Sequence, residues 1–410
     1  MYSQDGWGLG HLRRSLNIAG EVRREDRECE VLILADSPAV SITGSRPGIE
    51  VVKLPTIVKT GSNQWRNATL SMPVRSVIDL RAELMLQALR GFQPDAVLID
   101  HMPVGAMGEL KPFLDHATRE PRRMKVVLGL RDIIDRPAVV RRAWRDLGAY
   151  DYLPLYDAVL VYGSRTVYDA SAAYALGPVA REVDYCGYVS PPPGRSRAVP
   201  GCPDPYVLML GGGGGDAFPL ASAFLEALGT LNGELGMDGV VLTGPNMAAA
   251  ERESLLSRAA ANVHVGNSYD DATQWIRGAC AVVTMAGYNS LCEVLRWRKK
   301  ALVVPRPGPS AEQQMRSSLF SRRNLIRLLA PEALTSHRLA ADLIHLLADA
   351  TVPDARAIPA LNGARRTARA LLRPEPQPRR YVNGRAGVRS AETALRNRPR
   401  SPAEIGVSPL

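Results

Sequence analysis

The chain has 410 residues, a length that favours two domains over a single core. Apolar residues make up 46% of it, and no apolar run approaches the length of a membrane span, which indicates a globular protein and argues against a transmembrane one. The cysteines are scattered without a CxxC pair, so we expect a reducing, cytoplasmic location and neither a zinc site nor a disulfide framework. They are Cys29, Cys186, Cys202, Cys280 and Cys292.

The net charge of +10 is distributed unevenly along the chain. Residues 373–410 hold eight Arg against three Glu, so half of the charge belongs to a Pro- and Arg-rich tail that we predict to be disordered. The remaining charge is mild, and it fits a basic cleft for a diphosphate or a weakly basic face toward an anionic membrane. No nucleic-acid-binding motif is recognisable, and we expect no nucleic-acid partner.

Residues 1–195 are predicted to form a first doubly wound α/β domain. Residues 1–4 are typical of the end of a strand whose start is missing, and a Gly-rich turn at 5–10 leads into a helix that ends near Val22. Apolar strands at 31–35, 51–54, 96–99, 125–130 and 158–162 alternate with helical or loop segments, which indicates a parallel sheet. The polar segment 56–75 is predicted to be an irregular, mobile loop.

Residues 196–372 are predicted to form a second domain of the same kind, after a linker at 190–205 that is dense in Pro and Gly. Strands are expected at 206–210, 239–242, 262–265, 280–284 and 301–304, with helices at 218–229 and 248–260 among the segments between them. A last helix at about 355–372 is expected to cross back over the first domain. The pattern therefore predicts two doubly wound α/β domains that face each other across a cleft.

One βα turn in the second domain has the features of an anion site. It joins the strand at 280–284 to a helix predicted at about 291–297, and a helix N-terminus binds phosphate through its unpaired N–H groups. Gly287 lets the backbone approach a ligand closely. Asn289 and Ser290 either cap the helix or hydrogen-bond the phosphate. Glu293 is either a solvated helix residue or an acceptor for the vicinal hydroxyls of a ribose.

A second Gly-rich segment, residues 211–215, follows the strand at 206–210 and precedes a helix. Its N–H groups, those of Gly212, Gly213 and Gly214 in particular, are expected to point toward the cleft. A nucleotide-hydrolysing P-loop needs a Lys-Ser/Thr pair after the glycines, and Asp216-Ala217 stands there instead, which argues against that activity.

His11 lies at the mouth of the first Gly-rich turn, where an imidazole either takes a proton from an attacking hydroxyl or only orients the loop. Asp100-His101 and Arg131-Asp132 directly follow strands, at the edge where open α/β sheets bind ligands. They either assist His11 and bind an acceptor, or form internal ion pairs and strand-end hydrogen bonds. The predicted acceptor-binding residues are Gly8, Gly10, Arg13, His101 and Arg131.

Three motifs in the second domain carry a family resemblance: MAGYN at 285–289, VPRP at 304–307 and Glu312-Gln313. Together they resemble a branch of predicted bacterial glycosyltransferases that is similar to the MurG-like family, with a glycosyltransferase family 28 type C-terminal domain. Members of that family form lipid II by moving N-acetylglucosamine from its UDP donor. The resemblance implies the GT-B fold, with two Rossmann-like domains that bind the acceptor in residues 1–195 and the nucleotide sugar in 196–372.

The resemblance also assigns roles to residues. In the family, a Gly-containing turn holds the diphosphate, a Glu six residues later takes the ribose hydroxyls, and a Gln-Gln pair contacts the sugar; Gly287, Glu293 and Gln313-Gln314 have this spacing. The expected donor-binding residues are Gly212, Gly213, Gly214, Tyr269, Met285, Gly287, Tyr288, Asn289, Ser290, Glu293, Arg306, Gln313 and Gln314.

The chain departs from the family at several positions. Gly10-His11 match the last two residues of a Gly-Gly-His that faces the acceptor, but Leu9 replaces the first glycine. The serine of the family's Gly-rich loop is absent. Ser268 stands at a Phe position that packs against uracil, so Tyr269 is expected to stack on the base, and the identity of the base stays open.

The sequence thus predicts transfer of a sugar from a UDP-type donor to a hydroxyl of a small molecule or lipid, with His11 as the base. Inversion at the anomeric carbon is implied by the resemblance. No Asp-x-Asp follows a strand, so we expect no metal and no cofactor beyond the UDP-sugar co-substrate, with helix N-termini and Arg306 stabilising the departing diphosphate. Peripheral contact with the inner membrane face is left open, and so is the choice between monomer and homodimer.

Two alternative functions remain open. A nucleotide-sugar epimerase or hydrolase would share the architecture, although no trio of carboxylates around the sugar is evident. A non-catalytic nucleotide-sugar-binding protein is favoured slightly by the missing serine in the Gly-rich loop.

Overall fold

The structure is a computed structural model, and it describes residues 1–6, 8–38, 40, 44, 46–61, 64–119, 124–192, 203–231, 236–266 and 272–373. The segment Met1–Arg373 forms one compact unit. Most of the predicted linker, the predicted base-stacking residue Tyr269 and the basic tail after residue 373 lie outside the described residues.

The first half of the unit alternates strands and helices. In chain order it contains β1 (Tyr2–Ser3), α1 (Gly10–Glu25), β2 (Val31–Ala35), β3 (Ile49–Lys53), β4 (Ile57–Gly61), β5 (Gln64–Asn67), α2 (Val74–Phe92), β6 (Ala96–Asp100), α3 (Lys111–Arg119), β7 (Lys125–Arg131), α4 (Pro137–Asp146), α5 (Ala149–Tyr152), β8 (Ala158–Tyr162), α6 (Ala170–Ala173) and β9 (Val183–Tyr185). Seven of the strands form a parallel sheet in the order β3-β2-β1-β6-β7-β8-β9. The residues on both faces of its central strands are apolar and buried, as a sheet covered by helices on both sides requires.

The second half repeats this arrangement. It contains β10 (Tyr206–Leu210), α7 (Phe218–Leu231), β11 (Asp238–Leu242), α8 (Ala249–Arg258), β12 (Val263–Gly266), α9 (Ala272–Gly278), β13 (Ala281–Thr284), α10 (Tyr288–Arg296), β14 (Lys300–Val303), α11 (Glu312–Ser321), β15 (Arg327–Leu328), α12 (Ser336–Ala348) and α13 (Gly363–Leu372). Its six strands are parallel in the order β12-β11-β10-β13-β14-β15. No helix among the residues described is both long and apolar enough to cross a bilayer.

Each sheet has one topological switch point, where successive strands begin to be added on the other side. In the first sheet it lies between β1 and β6, and in the second between β10 and β13. Open α/β sheets bind ligands outside the carboxyl ends of the strands at such points. The four loops that leave these strands are the Gly-rich turn before α1, the Asp100-His101 segment, the glycines at 211–215 and the turn before α10.

The structure differs from the sequence-based expectation in several elements. Segment 56–75 is not irregular throughout, because β4 and β5 pair as an antiparallel hairpin. Two of its apolar residues, Ile57 and Trp65, pack with Val77 and Ile78 of α2. The segment is mostly polar, so its sequence does not indicate that the two strands pair. The strands β9 and β15 were not predicted, since each has three residues or fewer. The last helix begins at Gly363 rather than near residue 355.

The two halves share packed elements along one side. Helix α13 packs on α1, and two of its arginines, Arg365 and Arg369, pair with Glu25 at 2.7 and 3.1 Å. Tyr288, the first residue of α10, reaches into the first half, where its hydroxyl donates to the Tyr162 carbonyl oxygen at 2.9 Å. The Tyr288 contact places the start of α10 against the end of β8 in the first half.

Candidate active site

The Gly-rich turn before α1 is fixed by two carboxylates. Asp36 accepts hydrogen bonds from the backbone N–H of Asp5 at 2.6 Å and of Gly6 at 3.2 Å. Asp5 in turn accepts from the Leu12 N–H at 2.8 Å, so its carboxylate satisfies one of the free donors in the first turn of α1. Arg81, which is fully buried, holds Asp36 in place at 3.2 Å. The residue that follows Gly10 at the start of the helix, His11, is therefore presented from a rigid turn.

His11 forms a short contact with Asp100, which ends β6. Its Nδ1 lies 2.5 Å from Asp100 Oδ2, and the His11 side chain keeps 13% of its surface exposed. Arg14 grips the same carboxylate through Nε and Nη2, at 3.0 and 2.6 Å. Two groups compete for this nitrogen: Asp100, which only accepts, pairs with a protonated Nδ1, whereas Arg14 Nη2, which only donates and lies 2.7 Å from Nδ1, pairs with an unprotonated one. The tautomer that pairs with Asp100 leaves Nε2 with a free lone pair, as a general base requires.

The charge state of Asp100 supports this arrangement. Burial raises the pKa of Asp100, but the neighbouring Arg14 and then His11 outweigh burial and bring the pKa to about 2. Asp100 is therefore a carboxylate throughout the physiological range. Its contact with Nδ1 orients the His11 ring.

His101 packs beside His11 with 4.8 Å between the ring centroids. Its backbone has φ +72°, a strained conformation for a residue with a side chain, and its buried Nδ1 has no hydrogen-bond partner among the described residues. Burial, followed by the charge of Arg131, lowers the pKa of His101 well below its ordinary value, so the ring is neutral. A neutral, strained imidazole next to the His11–Asp100 pair fits a role in contacting substrate.

Glycines shape the turn before α10 and the Gly-rich segment at 211–215, the two places predicted to bind the donor. Gly287 precedes α10 without a side-chain cap on the helix, which leaves the N–H groups of the first turn for other acceptors. Gly214 has φ +93°, and a Cβ there would lie 2.6 Å from the Thr243 carbonyl oxygen, so only glycine allows this segment to fold against the loop after β11. A Cβ on Gly212 would lie 3.5 Å from the Ser290 Oγ. The Gly-rich segment and the start of α10 are thus adjacent.

Two polar residues on one face of α10, one turn apart, meet the first turn of α1. Asn289 donates from Nδ2 to the Gly10 carbonyl oxygen at 3.0 Å. Arg13 donates from Nη2 to Glu293 Oε1 at 2.9 Å. The Glu293 side chain is only 2% exposed, whereas that of Arg13 is 39% exposed. Glu293 is therefore not a solvated helix residue, and it faces the gap between the halves.

Gln313 and Gln314, which are predicted to contact the sugar, lie at the start of α11. Arg306, which is predicted to stabilise the diphosphate, lies in the loop between β14 and α11. Gln313 accepts from the Arg306 backbone N–H at 3.1 Å, and Gln314 donates to the Pro307 carbonyl oxygen at 3.4 Å. Arg306 lies 3.4 Å from Asp216, beside the Gly-rich segment, and its buried Nε has no partner among the residues described. Met285 is partly buried at the end of β13.

Four buried charges connect the two halves behind these turns. Arg316 on α11 holds Asp132 at 2.8 and 3.1 Å and contacts Glu312 at 3.4 Å. Glu312 also pairs with Arg131 at 2.7 Å, so the guanidinium predicted to meet an acceptor is engaged by a carboxylate of the other half. Burial raises the pKa of Glu312, but Arg131 and Arg316 outweigh burial and lower the pKa overall. Arg14 and Arg316 were not singled out from the sequence, and Glu312 was named only as part of a family motif, because no local pattern marks such pairs.

Two further predicted residues serve the framework in this structure. The Tyr288 side chain is directed into the junction between the halves, where its hydroxyl accepts from the Val189 N–H at 2.8 Å. Any donor contact of Tyr288 therefore falls to its backbone N–H. Gly8 closes the turn before α1, since its N–H donates to the Asp5 carbonyl oxygen at 3.1 Å and a Cβ there would lie 2.8 Å from Asp5 Oδ1. Across the described ranges, no group of three or more His, Cys, Asp or Glu residues is arranged to hold a metal ion.

The chain is similar to known proteins in sequence and in structure. Residues 207–370 match the glycosyltransferase family 28 C-terminal domain. Two relatives, both from strains of Porphyromonas gingivalis, are described as UDP-N-acetylglucosamine--N-acetylmuramyl-(pentapeptide) pyrophosphoryl-undecaprenol N-acetylglucosamine transferase. Each is 23% identical to this chain over 382 residues, which cover 90% of this chain and 90% of the relative.

Solved structures show the same fold. MurG of Acinetobacter baumannii has a TM-score of 0.52 at 14% identity and covers 90% of this chain and 93% of its own. SnogD from Streptomyces nogalater has a TM-score of 0.54 at 17% identity, with 89% and 92% covered. CalG4, the calicheamicin glycosyltransferase, has a TM-score of 0.55 at 16% identity, with 90% and 93% covered. The fold is therefore GT-B.

The lowered pKa of Asp100 leads to a prediction about stability. A carboxylate whose pKa falls from 3.8 to about 2 on folding contributes stability that is complete above pH 5 and is lost as the pH falls from about 4 through 2. The difference in unfolding free energy between wild type and Asp100→Asn should therefore shrink by about 1 kcal/mol between pH 7 and pH 3. Urea denaturation at the two pH values measures it, and a constant difference would show that the pKa is not lowered.

Proposed function

We propose that this chain, which is a MurG-like glycosyltransferase of the GT-B fold, moves a sugar from a UDP-type nucleotide sugar to a hydroxyl of its acceptor. The observation that carries the proposal is the meeting of two sites. The His11–Asp100 pair at the switch point of the first sheet faces the uncapped start of α10 at the switch point of the second. The contact between Arg13 and Glu293 joins them.

In the second half, the donor diphosphate would rest on the N–H groups at the start of α10. The positive end of the helix dipole favours its charge, and Ser290 with the neighbouring glycines at 212–214 supplies further donors. Glu293, four residues after Asn289 on α10, would accept hydrogen bonds from the ribose hydroxyls. Gln313 and Gln314 would contact the sugar. The donor named for the two relatives is UDP-N-acetylglucosamine, which supports a UDP-type donor here.

In the first half, His11 would act as the general base. Its Nε2 takes the proton of the acceptor hydroxyl, and the oxygen forms a bond to the anomeric carbon. The bond from that carbon to the diphosphate oxygen breaks, and its electron pair leaves with the nucleoside diphosphate. Attack from the side opposite the leaving group inverts the configuration. Gly10 precedes His11, His101 packs beside it and the charge of Arg131 acts on His101; these three residues are proposed to bind the acceptor.

The charge that develops on the leaving diphosphate would be stabilised by the start of α10 and by Arg306, whose Nε has no partner among the described residues. The reaction is therefore proposed to need no metal ion. The acceptor is proposed to be a small molecule or a lipid. The relatives' names include a pyrophosphoryl-undecaprenol, which supports a lipid-linked acceptor and a cytoplasmic location with peripheral contact with the membrane.

Replacement of His11 by Ala tests the assignment of the base. Turnover should fall by about 100-fold or more, because general-base catalysis is lost, while donor affinity should change by less than about threefold. Steady-state kinetics and calorimetric titration of the donor measure the two quantities. His345→Ala, an exposed histidine on α12, is the control. An equal loss of turnover and donor affinity would contradict the assignment.

The proposed metal independence predicts that chelation leaves the reaction unchanged. With saturating donor and acceptor, the initial rate in EDTA should stay within about twofold of the untreated rate, since no bound metal supplies Lewis-acid stabilisation. A rate that falls in EDTA and returns on addition of Mg²⁺ or Mn²⁺ would overturn this part of the proposal.

A further inference from the structure

The contact between Arg13 and Glu293 links the first turn of α1 to α10 across 280 residues of sequence. The carboxylate is buried, and the guanidinium is accessible to solvent. Glu293 is the residue to which the proposed function gives the ribose hydroxyls. The ribose and Arg13 therefore compete for the same carboxylate oxygens.

We propose that Arg13 changes its partner when the donor binds. It pairs with Glu293 until the ribose displaces it, and it then pairs with the donor's diphosphate. This inference rests on the proposed function and deepens it, because it assigns a positioning role toward the diphosphate to a residue that the sequence associates with the acceptor.

The geometry supports the exchange. The proposed diphosphate position, at Asn289, lies four residues before Glu293 on the same face of α10, a distance of about 6 Å along the helix axis. A long, flexible arginine side chain spans such a distance by changing its rotamer, without movement of the α1 backbone. The Asn289 amide that donates to the Gly10 carbonyl oxygen lies in the same face, so the donor would meet both contacts at once.

The neighbouring carboxylates described in the structure already have partners, so few of them can pair with the released guanidinium. Asp100 is already held by Arg14 and His11, and the Asp5 carboxylate caps α1. On the other side, Glu312 is engaged by Arg131 and Arg316. A diphosphate at the start of α10 brings new negative charge within reach, and arginine binds phosphate oxygens through two parallel hydrogen bonds.

Releasing Arg13 removes the ion-pair partner of the buried Glu293 carboxylate, so the exchange requires the ribose hydroxyls to donate to that carboxylate in its place. A phosphate-bound guanidinium makes stronger, charge-assisted hydrogen bonds. The exchange therefore favours ligands that carry both a ribose and a diphosphate. A nucleoside alone must displace Arg13 without offering it a new partner.

The test compares uridine with UDP, using full-length wild type, Arg13→Ala, Arg13→Lys and the control Arg24→Ala. Arg24 lies on the same helix, and its exposed guanidinium pairs with the buried carboxylate of Glu21. NMR titration at millimolar concentration gives the affinity for uridine, and calorimetry gives that for UDP. Thermal unfolding of each variant establishes that it is folded.

The proposal predicts changes of opposite sign. Arg13→Ala should bind uridine about 3- to 10-fold more tightly, because the competitor for Glu293 is gone, and UDP about 3- to 10-fold more weakly, because the diphosphate loses a partner. Arg13→Lys should restore UDP affinity to within about threefold of wild type. Arg24→Ala should leave both affinities unchanged. In a Glu293→Gln background, Arg13→Ala should no longer improve uridine binding.

Other outcomes separate the two hypotheses. If wild type binds UDP but Arg13→Ala changes the affinities for uridine and UDP by the same factor, or changes neither, the exchange is wrong and the donor assignment stands. If wild type binds none of UDP, GDP, ADP and dTDP, the donor assignment fails, and the exchange fails with it.

Discussion

The structure depends most on the buried ion pairs between Asp132 and Arg316 and between Glu312 and Arg131. They tie the end of β7 in the first half to the start of α11 in the second. Asp132, Glu312 and Arg316 are buried, whereas the Arg131 side chain keeps 16% of its surface exposed. Removal of a partner from one of the three buried charges would leave that charge uncompensated, at a cost of about 3–5 kcal/mol. The two halves are thereby held at one separation.

That separation determines how the turns before α1 and α10 are placed in the cleft. Arg316 also donates to the Ala286 carbonyl oxygen at 3.1 Å, so the same guanidinium that joins the halves fixes the turn before α10. On the other side, Asp36 and Asp5 fix the turn before α1. Both helices consequently present their first turns from rigid supports. The proposed base, His11, and the proposed ribose ligand, Glu293, then lie on neighbouring helix ends without either being on a free loop.

The sequence was informative where local patterns carry the information. Apolar β-branched runs located the interior strands, and the predicted strands at 31–35, 158–162 and 206–210 coincide with β2, β8 and β10. The same patterns placed His11, Asp100 and Gly287 at carboxyl ends of strands, where the structure has them. Edge strands β9 and β15 were missed because each has three residues or fewer, and the β4–β5 hairpin was missed because its composition is mostly polar.

Side-chain partners were the part that the sequence could not predict. Arg13 with Glu293, Arg131 with Glu312 and the direction of Tyr288 all depend on how the two halves meet. Residues separated by more than 100 positions leave no periodic signature, and a guanidinium that follows a strand has the same sequence context whether it binds a ligand or a carboxylate. The resemblance to the MurG-like family predicts that the turn before α10 binds the donor, but it carries no information on these pairs.

The central claim is that Glu293 on α10 holds the ribose of a nucleotide sugar, and the most direct measurement is the discrimination between UDP and 2′,3′-dideoxy-UDP. Calorimetry should show that wild type prefers UDP by about tenfold or more, because a site built to hydrogen-bond hydroxyls rejects a ligand that lacks them. Glu293→Ala should bind the two ligands with nearly equal affinity, while Glu332→Ala, an exposed carboxylate in the same half, should keep the preference. Equal discrimination in wild type and Glu293→Ala, or none in wild type, would contradict the account.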